Sequence, residues 1–149
     1  MTRSAIRVQV RSAVAADAER IAILAGQLGY PSTVETVLRQ LPRIQSSPEH
    51  AVFVAEAPDG LVIGWLHVHA HHFVANDPRA EIGGLVVDEN SRNAGVGRLL
   101  MEQAEQWARD KGYREVVLRS NVIRERAHKF YESLGYSVTK TQKHFRKAL

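Results

Sequence analysis

Ile6, Val8 and Val10 interleave with Arg7, Gln9 and Arg11, the period-two pattern of a half-exposed first strand. Asp17 then stands as an N-cap, and Ile21, Leu24, Ala25 and Leu28 recur at helical spacing up to Gly29. Beyond Tyr30 and Pro31, Ser32 and Glu35 read as a capping box, in which each side chain satisfies a backbone donor at a helix start. Val34, Val37, Leu38 and Leu41 give that second helix its apolar stripe, which Pro42 begins to break. Residues 51–55 form a buried strand, Pro58-Asp59-Gly60 a tight turn, and 61–71 the returning strand of a hairpin. A loop over 72–79 leads to a nearly all-apolar strand, 81–87, expected to be central and covered on both faces. The longest helix spans 94–111, with Val96, Leu99, Leu100, Ala104 and Trp107 along one side. A strand at 115–120, a helix at 124–134 stopped by Gly135, and an extended stretch from Tyr136 complete the order β-α-α-β-β-β-α-β-α-β. That order predicts one α+β domain over residues 1–149, built on a mixed sheet.

Composition narrows the class. At 149 residues, 44% hydrophobic and 24% charged, the chain has the make-up of a folded globular domain. It has no cysteine, which excludes disulfides, a cysteine nucleophile and thiolate metal sites, and suits a reducing cytoplasm. The N-terminus lacks the apolar core of a signal peptide, and no apolar run approaches the roughly 20 residues that cross a bilayer. No membrane partner is expected. The net charge of +4 is spread along the chain without a basic run or interleaved aromatics, so a compact anionic ligand explains it as well as nucleic acid does.

The segment from Leu85 to Leu100 carries the clearest chemistry. An apolar strand passes through a polar turn into a helix that begins with Gly95 and Gly97, flanked by Arg92 and Arg98. Amides at such a helix start have no intrahelical acceptor, and the helix dipole adds positive potential, which together suit a pyrophosphate. The alternative is a strand-turn-helix whose glycines serve tight packing. A third glycine for a dinucleotide fingerprint is missing, as is a Gly-Lys-Ser/Thr for a P-loop.

Arg92-x-x-Gly95-x-Gly97 after an apolar strand resembles the acetyl-CoA loop of the GNAT superfamily of N-acetyltransferases. Downstream, Ala127-His128-Lys129-Phe130-Tyr131-Glu132-Ser133-Leu134-Gly135-Tyr136 is similar to that superfamily's second motif. With the element order, the resemblance covers nearly the whole chain. It implies a mostly antiparallel central sheet of six to seven strands flanked by about four helices, with a splayed strand pair that binds acetyl-CoA. In that arrangement the backbone of Leu85, Val86 and Val87 holds the pantetheine arm, and the amides of Arg92, Asn93, Ala94, Gly95, Val96, Gly97 and Arg98 hold the pyrophosphate.

The resemblance further implies that Tyr131 protonates the departing CoA thiolate, a role that suits a phenol of ordinary pKa about 10. A core tyrosine on an amphipathic helix is the alternative. Glu81, eleven residues before Arg92, is the candidate general base, at the separation found in histone acetyltransferases of the superfamily; a charge at a strand end, with water as the base, is the other reading. The superfamily's cofactor-binding Asn falls here at Arg124, a departure, with Asn121 three residues earlier; both are candidate cofactor contacts, as is His128.

His67, His69 and His71 share one strand face. No carboxylate in that strand completes a metal site, so no metal is expected and the histidines read as a polar wall of the acceptor pocket. Tyr30, His69, His71 and Asp77 are the acceptor-contact candidates. The phrase around Ala127-His128-x-Phe130-Tyr131 resembles the small-molecule branch, including aminoglycoside-type members, so the expected partner is a small-molecule amine and not nucleic acid. Homodimerisation is common in the superfamily and is carried as an expectation. A protein lysine or N-terminal acetyltransferase, and a CoA-binding sensor without turnover, are the competing readings.

Overall fold

A computed structural model describes residues 7–92 and 94–149, so the expectations on Ile6 and Asn93 lie outside the described residues. The chain forms two compact units, Met1–Leu118 and Arg119–Leu149.

The first unit is a five-stranded sheet in sequence order: β1 (Gln9–Ser12), β2 (His50–Glu56), β3 (Val62–His71), β4 (Arg79–Val87) and β5 (Val116–Leu118). Neighbours from β1 to β4 pair antiparallel, and β5 pairs with β4 in parallel. Three helices belong to it: α1 (Ala18–Leu28), α2 (Val34–Gln45) and α3 (Val96–Asp110), the last forming the crossover that a parallel pair requires. The β2–β3 hairpin turns at Pro58-Asp59-Gly60 as expected, with Gly60 at φ 88°.

Cross-strand partners assign the two sheet faces. Phe53 pairs with Leu66, and Leu66 with Leu85, on the face that α3 covers with Val96, Leu100, Met101 and Ala104, all fully buried. Val54 pairs with Trp65, and Trp65 with Val86, on the face that α1 and α2 cover through Ile21, Leu24 and Leu41. The Trp65 indole N–H donates to the Ile21 carbonyl at 3.2 Å, so the ring's one polar atom is satisfied within that core.

Several local expectations shift. Among the described residues the first strand spans Gln9–Ser12, leaving Arg7 and Val8 of the alternation outside it. Asp17 precedes α1, but its carboxylate accepts from Val14 N–H and from Arg11, closing a short 3-10 turn instead of capping the helix. Thr33, not Ser32, caps α2, its hydroxyl accepting from Thr36 N–H at 3.1 Å. The helix then runs through Pro42 to Gln45, with Pro42 exposed, so the ring's cost is met at the solvent edge. Leu99 is 38% exposed, and Met101 and Ala108 take the buried positions on α3 instead.

The second unit holds α4 (Glu125–Ser133), closed by Gly135 at φ 94° with Tyr136 N–H bonded to the Tyr131 carbonyl. Residues 137–149 form neither helix nor paired strand, so among the described residues the sheet has five strands and not six or seven. An extended stretch becomes a strand only where a partner edge exists to receive it.

Candidate functional site

The register of β4 decides where its one carboxylate points. Trp65 faces Val86 and His67 faces Gly84, but the next pair is Val68 with Ile82, so Gly83 is an extra residue in β4. Such a bulge reverses the side-chain parity beyond it. Without it, Glu81 would point into the apolar core under α3; with it, Ile82 takes that place and Glu81 turns to the other face. Only glycine fits there, because a Cβ on Gly83 would stand 2.9 Å from His67 Nδ1.

Glu81 consequently meets the histidines. It pairs with His69 in register, its Oε2 lies 3.4 Å from His69 Nε2 and 3.6 Å from His71 Nδ1, and its side chain is 13% exposed. His69 Nδ1 lies 3.1 Å from the Ala70 carbonyl, which can only accept, so the ring proton belongs on Nδ1 and Nε2 presents a lone pair in the neutral ring. His71 Nδ1 is buried without a hydrogen-bond partner. Glu81 Oε2 and the Nε2 lone pair of His69 are acceptors, and His71 Nδ1 beside them donates or accepts according to its tautomer, a polar group whose chemistry suits a primary ammonium. His67 continues the row: its ring lies 5.4 Å from that of His69, and its Nε2 is 3.0 Å from His50 Nδ1. Burial, with His69 and His50 as neighbours, lowers the His67 pKa from the usual 6.5 to about 4. Among the described residues, no cluster of three or more His, Asp or Glu side chains has a metal-holding arrangement.

The same strand has an open end. β5 pairs only with Ala80, Glu81 and Ile82, so residues 83–87, including Leu85, Val86 and Val87, run on with β3 as their partner strand. The turn that follows is clamped. Asp88 accepts from Asn90 N–H, and its own N–H bonds the Ile63 carbonyl. Arg20 of α1 donates to Asp88 and to the Val62 carbonyl, and Gln27 accepts from Glu89 N–H. The Asn90 amide, aided by Arg20, holds the Asp88 carboxyl below its ordinary range against the effect of burial. Sequence reading named none of Arg20, Gln27 or Asp88. Asp directly after an apolar strand was the available signal, being the usual opening of an Asx turn.

Beyond the turn α3 begins. Gly95 caps it at φ 80°, a left-handed conformation that disfavours any side chain, and a Cβ there would meet nothing within 4 Å. The first intrahelical bond is Leu99 N–H to the Gly95 carbonyl, so the amides of Val96, Gly97 and Arg98 have no partner within the helix. The first turn carries no acidic residue, Arg92 and Arg98 are exposed, and Ala94 and Gly95 are open to solvent. Free amides at a helix start with exposed cations beside them are the chemistry that a diphosphate requires. Tyr30, 73% exposed after α1, and Asp77, exposed in the β3–β4 loop, are not drawn into the Glu81 cluster by any recorded contact.

In the second unit, Asn121 spends its Oδ1 on Ile123 N–H, and its carbonyl lies 2.8 Å from His128 Nε2, so both residues shape the approach to α4. Arg124 is exposed at the helix start. Tyr131 is half-buried, edge-on to Phe130 and Tyr136, and burial raises its phenol above the ordinary 10, with Arg124 pulling the other way. The phenol is therefore protonated throughout the neutral range.

The sequence model of the acetyltransferase (GNAT) family matches residues 19–136. The chain is 32% identical over 144 residues to an aminoglycoside N(6')-acetyltransferase type 1 from Stenotrophomonas maltophilia, covering 94% of this chain and 93% of that one. A second such enzyme, from Serratia marcescens, is 25% identical over 114 residues, 74% of this chain and 78% of its own. In fold, the chain is similar to the aminoglycoside N-acetyltransferase AAC(6')-Iy in complex with CoA, at TM-score 0.86 and 23% identity over the whole of both chains. It is also similar to a glucosamine-6-phosphate N-acetyltransferase from Arabidopsis thaliana, at TM-score 0.80 and 24% identity, covering 93% of this chain and 97% of that one.

Proposed function

The chain belongs to the acetyltransferase (GNAT) family and is an acetyl-CoA-dependent N-acetyltransferase, and we propose that it acetylates a primary amine on a small molecule at the Glu81 face of the sheet. The supporting observation is the course of β4. One strand carries Glu81 among the histidines, then runs past the end of β5 into a clamped turn and a glycine-opened helix.

Acetyl-CoA supplies the activated acetyl thioester. The open backbone of Leu85, Val86 and Val87 holds the pantetheine arm by strand-like hydrogen bonds, and the amides of the turn and of Val96, Gly97 and Arg98 hold the diphosphate, with Arg92 and Arg98 adding charge. His69, His71 and Glu81 seat the acceptor ammonium and take up its proton, because only the neutral amine is a nucleophile. Tyr131, protonated at neutral pH, carries the proton required at the departing sulfur. Asn121, Arg124 and His128 are carried as cosubstrate contacts and Tyr30 and Asp77 as outer acceptor contacts.

The names of the sequence relatives support a small-molecule acceptor. The match to the family runs across both compact units, which supports a single GNAT domain over 1–149. Among the described residues no helix is long and apolar enough to cross a membrane, and the absence of cysteine suits a cytoplasmic location. Val138 and Phe145 are 74% and 86% exposed in the unpaired tail, which supports a homodimer that covers them. Light scattering at micromolar protein should return twice the 16.6 kDa chain mass; a monomer there removes the dimer.

Tyr131→Phe tests the catalytic reading. Acetyl transfer should fall tenfold or more while acetyl-CoA affinity stays within about twofold. Unchanged turnover would remove Tyr131 from the mechanism.

A further inference from the structure

One cation stands beside the Glu81 cluster. Arg79 lies two residues before Glu81 on β4, so the two side chains leave the same sheet face about 6.5–7 Å apart. Their strand neighbours agree, Arg79 pairing with His71 and Glu81 with His69. The bulge at Gly83 lies beyond both and does not separate them.

The guanidinium rests on a ring. Its central carbon sits 4.7 Å from the centroid of the Phe73 ring, and Phe73 stacks on His71 at 4.3 Å with the planes 23° apart. His71 Nδ1 is 3.6 Å from Glu81 Oε2, so Arg79, Phe73, His71 and Glu81 form one continuous set of contacts. The charged partner of Arg79 is Glu115, 3.6 Å from Nη1 and beyond hydrogen-bond length, on a side chain 61% exposed. Such a loose surface pair is worth little and yields to a better-placed carboxylate. Arg79 Nε is buried with no hydrogen-bond partner. A guanidinium is charged at every working pH and offers a planar fork that takes a carboxylate through two parallel bonds.

Glu81 and Arg79 thus set a negative and a positive charge side by side. Two charge-assisted hydrogen bonds of about 2.8 Å span most of their separation, so an amine and an acid held by both are a few bonds apart. An amino acid has that spacing with the charges in the matching order. A polycation does not, because an ammonium near Arg79 meets a like charge. Resting on the reading of Glu81, His69 and His71 as the amine seat, we infer that Arg79 is a carboxylate-binding residue and that the preferred acceptor is an amino acid, with its ammonium at Glu81 and its carboxylate on Arg79.

The full-length chain is assayed with acetyl-CoA and three matched pairs: alanine and ethylamine, leucine and 3-methylbutylamine, phenylalanine and 2-phenylethylamine. In every pair that is turned over, the acid should exceed its amine at least tenfold in kcat/KM. Arg79→Gln should reduce that ratio at least tenfold, through the KM of the acid, a comparison that cancels the different basicity of the two amines. The same variant should raise kcat/KM for kanamycin, and Arg79→Lys, which keeps the charge without the fork, should fall between wild type and Arg79→Gln. On wild type alone, the acid lacking its amine (propanoate, 4-methylpentanoate or 3-phenylpropanoate) should compete with the amino acid it resembles. A ratio that Arg79→Gln leaves unchanged, or no competition by these acids, overturns the inference. Calorimetry with CoA present separates the two readings. Amino-acid binding that Arg79→Gln abolishes, without turnover of any amine, would sink the amine seat and leave the carboxylate site standing; turnover at an unchanged ratio would do the reverse.

Discussion

The two faces of one sheet are built from the same strands and end as different materials. Toward α3, Leu66 and Val68 meet Val96, Leu100 and Met101 with no polar group between them, and all five are at or below 1% exposure. Toward α1 and α2, Val52 and Val54 pack at one end, while at the other His50, His67, His69 and Glu81 share the surface with a cavity. Alternation gives each strand one side for support and one for chemistry, and the seam between them is a single inserted residue, Gly83. A close-packed face holds the backbone still, and the looser face can then keep lone pairs and empty space that a close-packed core would not tolerate.

If the faces are separable, Leu100→Ala should cost about 3 kcal/mol of stability, lowering the melting midpoint by roughly 6–12 °C without changing KM for either substrate well below the melt. A parallel loss of transfer at low temperature would show the faces to be coupled. Glu81→Gln should do the opposite, slowing transfer about a hundredfold, near 2.7 kcal/mol of barrier, with the midpoint unmoved.

The histidine row offers a weaker handle. The folded state holds His67, and also His50, less basic than the unfolded chain does, burial being the main cause in both. Below the ordinary 6.5 the unfolded chain binds more protons, so stability is lost as pH falls from about 6.5 toward about 4, with a slope of at most about 1.4 kcal/mol per pH unit for each proton. His67→Gln should flatten that slope, as read by urea titrations at pH 7.5 and 5; an unchanged slope would remove His67 from the account. The smallest effect is expected at the clamp. Arg20→Gln should cost on the order of 1 kcal/mol and weaken acetyl-CoA binding a few-fold without altering kcat. Wild-type affinity in that variant would show that the turn holds its shape without α1.

Much of the fold was legible because it is local. The hairpin declared itself in Pro58-Asp59-Gly60, and α3 in its stripe and its glycines, because turns and helices are set by neighbours in sequence. Thr33 displaced Ser32 as the cap of α2 because adjacent hydroxyls offer the same chemistry and only the backbone angle chooses. What failed to show was non-local. Arg20 and Asp88 are 68 residues apart, and nothing in either neighbourhood announces the pair. Glu81 was found by its distance from Arg92, but its facing could not be read: in an apolar run the parity is silent, and the bulge that reverses it looks like an ordinary Gly-Gly. The tail from Tyr136 reads as an extended stretch, and whether an edge receives it is a property of the whole sheet.

The central claim is that the histidine face takes the amine while β4 and α3 take acetyl-CoA. The chain has no cysteine, so any thiol appearing in a purified reaction is released CoA, and a thiol reagent reads turnover directly. Thiol release by wild type and by Glu81→Gln, with acetyl-CoA affinity measured on both by calorimetry, separates the two halves of the site. The account predicts amine-dependent release that drops about a hundredfold in Glu81→Gln at unchanged acetyl-CoA affinity. Equal release from both proteins would place the amine elsewhere and contradict it.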